Sequence, residues 1–124
     1  MMSQTDLTFD PQTVAAGLVP LLKEYAQKLV EIGTCTRRAQ RLYAKARLEK
    51  QQLAAQRAQA DFESLRFALN RLLPSTTDLS REASQLVEHG KLEPVTRLEL
   101  ALRLAEFESA LRQTQQRIGA GVTG

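Results

Sequence analysis

Catalysis needs acids, bases, nucleophiles or metal ligands at spacings that bring them together, and this chain offers few. It carries one histidine, His89, and one cysteine, Cys35. His89 has no second His or Cys at metal-ligand spacing and no Ser/Asp arrangement that would complete a triad. It precedes Gly90 and reads as the last turn of a helix, where an imidazole satisfies free carbonyls and the dipole. Cys35 lies between Ile32 and Ala39 in an apolar series, so it is expected to be a buried packing residue; a reactive thiol would need a nearby base or cationic surroundings. The close carboxylate pairs, Asp61 with Glu63 and Glu106 with Glu108, are two residues apart. Such residues do not face each other on a helix, so neither pair makes an acid–base dyad. The segment GAGVTG has no strand before it and no helix after it, which is not the setting of a phosphate loop. No enzymatic activity, cofactor or metal is expected.

The strongest candidate for binding chemistry is a basic run. Residues 37–57 contain Arg37, Arg38, Arg41, Lys45, Arg47, Lys50 and Arg57 against Glu49 alone, a net charge of +6. On a helix Arg38, Arg41 and Lys45 share a face, and such a stripe can neutralise phosphates. Arg37, Arg38, Arg41, Lys45 and Arg47 are therefore candidate nucleic-acid contacts. Aromatic interleaving is limited to Tyr43, which leaves no stacking platform. Residues 78–108 carry seven acids against four basic side chains, a net charge of −3. The simplest account of this asymmetry is that the two stretches lie side by side and neutralise one another.

The elements that would position these groups are helical. From residue 34 to 73 the chain runs without glycine or proline and is dense in Ala, Leu, Gln, Arg and Lys, which lose least on entering a helix. A helix over 34–73 would span roughly 60 Å. Before it, residues 1–9 have no periodicity and read as a flexible leader. Asp10-Pro11 then supplies an N-cap carboxylate and a proline at the first helical position. The helix over 11–33 is expected to kink or restart at 17–19, because Pro20 removes a backbone donor and clashes one turn back. Pro74 ends the long helix, and PSTTD makes the turn into a helix over 78–89. Glu93-Pro94 opens the last helix, over 94–118, and 119–124 reads as a flexible tail.

Apolar spacing fixes the expected packing. One series runs Leu18, Leu21, Tyr25, Ile32, Cys35, Ala39, Leu42, Ala46 and Leu53; a second, in another phase, runs Ala55, Ala58, Phe62, Leu65, Leu69 and Leu72. The last helix has two seams: Val95, Leu98, Leu102 and Ala105, and Leu100, Leu104, Phe107, Leu111 and Ile118. The fold class is all-α: a long antiparallel helical hairpin, or coiled-coil-like small bundle, with a kinked N-terminal helix. Folding back at Pro74 lays 78–118 along 34–72.

This hairpin leaves Leu18, Leu21, Leu22, Tyr25, Leu29 and Ile32 as a wide apolar face, together with the second seam of the last helix. Both are expected to meet a second copy, as a homodimer or higher, or another protein. The chain, at 124 residues and 43% hydrophobic, is sized for one domain; with 5% aromatics and no Trp its core must be aliphatic and thin. The lone cysteine excludes an internal disulfide and suits a reducing, cytoplasmic setting. The longest strongly apolar stretch, at 14–22, is far short of the roughly 20 residues of a membrane span. The function read from these features is a non-catalytic helical interaction protein: an adaptor, chaperone or small subunit that self-associates. The alternative is a nucleic-acid-binding accessory protein using the basic stretch 37–57.

Overall fold

The computed structural model describes residues 10–124; the expected leader, 1–9, lies outside them. Three helices pack as a small bundle: α1 (Pro11–Leu48), α2 (Gln52–His89) and α3 (Pro94–Gly119), with no strand among the described residues. The all-α class is as expected, but the helix boundaries are not. The expected rod over 34–73 is cut near its middle, and the expected breaks at Gly33 and Pro74 are absent.

α1 starts as its residues dictate. The Asp10 carboxylate accepts a hydrogen bond from the Thr13 amide at 2.7 Å, and this holds its pKa below the usual carboxylate range. The helix then continues unbroken through Pro20 and Gly33, so the restart expected at 17–19 does not occur. Pro20 is exposed, as is Ala16, whose carbonyl loses its donor, so water can replace that bond. Pro74 stands likewise on the exposed side of α2, four residues after exposed Asn70, and does not turn the chain.

The turn that does exist lies at 49–51. Lys50 adopts the left-handed conformation, with φ of 56°. The Gln51 amide donates to the Ala46 carbonyl at 2.8 Å, and the Lys50 amide to that of Arg47 at 3.2 Å. These two bonds make a Schellman motif, a helix stop normally signalled by glycine at the left-handed position. Here lysine occupies it, so the sequence gives no warning of the turn.

Residue pairing fixes the helix directions. Gln12 donates to Thr96 at 2.6 Å, Thr114 to the Leu29 carbonyl at 2.8 Å and Gln40 to the Gly121 carbonyl at 2.8 Å, so α1 and α3 run the same way. Val14 lies beside Leu86, Ile32 beside Leu65 and Leu42 beside Ala58, so α2 runs opposite to α1. The expected pairing of 78–118 along 34–72 is replaced by a hairpin of α1 and α2 with α3 laid along both.

The core repeats every seven residues. Ala15, Leu22, Leu29 and Thr36 recur at that interval on α1, and Ala55, Phe62, Leu69, Thr76 and Ala83 on α2, all buried. A seven-residue repeat keeps one seam facing its neighbours along a long helix. The series from Ala55 to Leu72 faces inward as expected, whereas the second seam of the last helix, Leu100 to Ile118, expected to meet another copy, is buried within the chain. The first series is half right: Leu18, Tyr25, Ile32, Ala39 and Ala46 face in, whereas Leu21, Cys35, Leu42 and Leu53 are exposed. Thr36 takes the inward place expected of Cys35 and bonds its hydroxyl to the Ile32 carbonyl at 2.7 Å. Gly33 is buried where α3 crosses, since a Cβ there would stand 3.1 Å from the Thr114 hydroxyl.

Candidate functional surfaces

The turn at 49–51 redistributes every residue singled out as a site. Leu18, Leu22 and Leu29 are 6%, 0% and 0% exposed, buried against the chain's own helices. Tyr25 and Ile32 are half-buried against the same core, and only Leu21, at 43%, is open. The reason is topological. α1 is the helix on which both others pack, so its wide apolar face is filled within the chain.

Arg37, Arg38, Arg41, Lys45 and Arg47 are all exposed. None of them makes an ion pair among the described residues. Arg47 lies over the Tyr43 ring, 5.9 Å from its centre, and donates to its hydroxyl at 3.2 Å. The expected neutralisation by 78–108 does not occur. Those residues pack along the N-terminal half of α1, where Ser80 donates to Glu108 at 2.8 Å and Arg97 joins α3 to the end of α2. The basic and acidic stretches therefore lie toward opposite ends of the bundle.

At the basic end the bundle loses a helix. α3 stops at Gly119, and Gln40 donates to the carbonyls of Arg117 at 3.0 Å and Gly121 at 2.8 Å. Val122 packs on the core, so the residues expected to be a flexible tail are tied to α1. Beyond Gln40, α1 and α2 continue as a two-helix tip around the buried side chains of Ala46, Ala55 and Ala58. Small residues let two backbones approach closely, which accounts for the alanine-rich middle of the sequence. Arg47 follows Gln40 by seven residues on α1, so the line of α3 extends into a groove of about 520 Å³ lined by Tyr43, Arg47, Lys50, Gln52, Ala55 and Gln59. No carboxylate lines this groove. On the opposite side of the tip a second groove holds Leu42, Leu53, Lys45 and Arg57 with Glu49 and Asp61.

At the acidic end an apolar stripe stays uncovered. Val95, Leu98 and Leu102 are 77%, 67% and 53% exposed. They belong to the first seam of α3, and on a helix of 3.6 residues per turn they stand opposite Leu100, Leu104 and Phe107. Exposed Glu99 and Glu106 lie along one edge of the stripe, and Glu106 pairs with Arg103 at 3.0 Å.

Other candidates lose their chemistry. No group of His, Cys, Asp and Glu suited to a metal occurs among the described residues. No described helix is long and apolar enough to cross a membrane. His89 stands in the last turn of α2 as expected, exposed and 3.7 Å from Glu88, but it does not hold the free carbonyls there. That task falls to Arg97, which donates to the carbonyls of Val87 and, at 2.6 Å, Gly90. Arg97 and Gln40 gave no sequence signal beyond being polar residues within apolar helices. No family model, no curated protein and no solved structure matches this chain.

Proposed function

We propose that the protein is a non-catalytic helical interaction module that self-associates, acting as an adaptor, chaperone or small subunit of a larger assembly. The observation that carries this reading is the outward stripe of Val95, Leu98 and Leu102, three large apolar side chains on the far side of a helix whose core face is already filled. This moves the contact surface from the N-terminal half of α1 to α3. The lone Cys35 and its exposure fit a reducing, cytoplasmic setting. Sedimentation velocity tests the reading: mass should rise with concentration in the micromolar range, and Leu98→Glu should return it to a single chain without lowering helicity. A single chain for the unaltered protein throughout that range would dismiss self-association.

One observation favours nucleic-acid binding as a second reading. Arg37, Arg38, Arg41, Lys45 and Arg47 make no ion pair among the described residues, and the acidic stretch 78–108 lies toward the other end of the bundle. Binding to a generic duplex should then fall steeply between low and physiological salt, and reversing Arg38, Arg41 and Lys45 to glutamate should abolish it. Absence of binding even at low salt would remove this reading.

A further inference from the structure

Two surfaces of this chain lack partners, and each has the character the other needs. The groove at the tip is an empty helix seat: it continues the line on which α3 packs, its floor is the small side chains Ala46 and Ala55, and its charged rim is Arg47 and Lys50 alone. The stripe on α3 is a helix face lacking a seat: Val95, Leu98 and Leu102 project outward, with exposed Glu99 and Glu106 along one edge. The lengths agree, since residues 41–48 and the stripe over 95–102 each span roughly 12 Å. The two surfaces lie toward opposite ends of the bundle, so they cannot meet within one chain.

Resting on the self-association reading above, we infer that copies join head to tail, the acidic apolar face of α3 on one copy occupying the vacant third-helix seat at the basic tip of the next. Leucines of the stripe settle over the alanine floor, and Glu99 and Glu106 face Arg47 and Lys50. Charge decides against the symmetric alternative. Two stripes packed on each other would bring acidic flanks together, and like charges across a helix pair destabilise it. A head-to-tail contact uses different patches on the two partners, so it repeats and produces an open chain of copies. Because the rims are exposed, high salt weakens the contact.

The test uses two variants of the full chain, each with one surface removed: Arg47→Glu with Lys50→Glu at the tip, and Leu98→Glu on α3. Circular dichroism checks that both keep their helicity, and sedimentation velocity reads mass. The unaltered protein should grow beyond two copies as concentration rises, and each variant alone should remain a single chain. Mixed in equal amounts, the variants retain one intact tip and one intact α3 face between them, so the mass should rise to two chains and stop. Growth of the tip variant like that of the unaltered protein would overturn the head-to-tail contact and leave self-association standing. So would a mixture that stays at single-chain mass while the unaltered protein assembles. A single chain for the unaltered protein at every concentration would end both.

Discussion

At the scale of single residues, the bundle depends on a few close approaches. Gly33 faces Thr114, whose hydroxyl is held at 2.8 Å by the Leu29 carbonyl and has little freedom to withdraw. A side chain at Gly33 would drive α3 off α1. Gly33→Leu is expected to lower the unfolding free energy by about 1–3 kcal/mol, in the range for overpacked cores, as read by urea denaturation. Gly17, with nothing within 4 Å of a Cβ, lacks this constraint. Polar residues carry the joints between elements: Gln12 joins α1 to the start of α3, Gln40 holds the end of α3, and Arg97 closes α2. The same logic separates Cys35 from Thr36. Both fit a helix, but only Thr36 sits on the seven-residue repeat, and it bonds its hydroxyl locally to Ile32 when buried.

At the scale of elements, the two prolines and the turn invert the usual signals. Pro20 and Pro74 stand inside helices, whereas Lys50 occupies the left-handed position that stops α1. A proline inside a helix removes one backbone bond and crowds the preceding turn. Pro74→Ala is therefore expected to raise the unfolding free energy by about 1–3 kcal/mol, in keeping with the helix cost of proline. Thermal unfolding followed by circular dichroism checks this, and a loss of stability would argue for a turn at Pro74. The helix starts were legible because Asp10-Pro11 and Glu93-Pro94 act locally, through a cap and a preset φ. The stop at 49–51 was not, because KARLEKQQLAAQ favours helix at every position and only the packing of α2 on α1 makes the bend worth its strain.

At the scale of the whole molecule, the topology separates charge. One end is a two-helix tip within the +6 stretch, and the other carries the −3 stretch on α2 and α3. The tip has only alanines at its buried seam and lacks the third helix that covers Phe62, Leu69 and Leu29 lower in the bundle. Fewer buried apolar contacts mean cheaper local opening. Amide exchange should therefore be fastest for 41–48 and 52–60, on the order of tenfold above the middle of each helix. Equal protection along α1 would contradict this account of the tip.

The all-helical class, the helix starts at Pro11 and Pro94, and the inward face of 55–72 were determined by the sequence alone, since each depends on local propensity or on spacing within one helix. The location of the hairpin, the fate of the wide apolar face and the separation of the charges were decided by tertiary structure. Those three follow from one event, the bend at Lys50. It brings α2 against α1 from that point, so Leu18, Leu22 and Leu29 become core, the acids of 78–108 pack beside the N-terminal half of α1, and the basic run is left at the open end. A uniformly helix-forming stretch cannot show where it bends, because the free energy that selects the place comes from the helices that meet after bending.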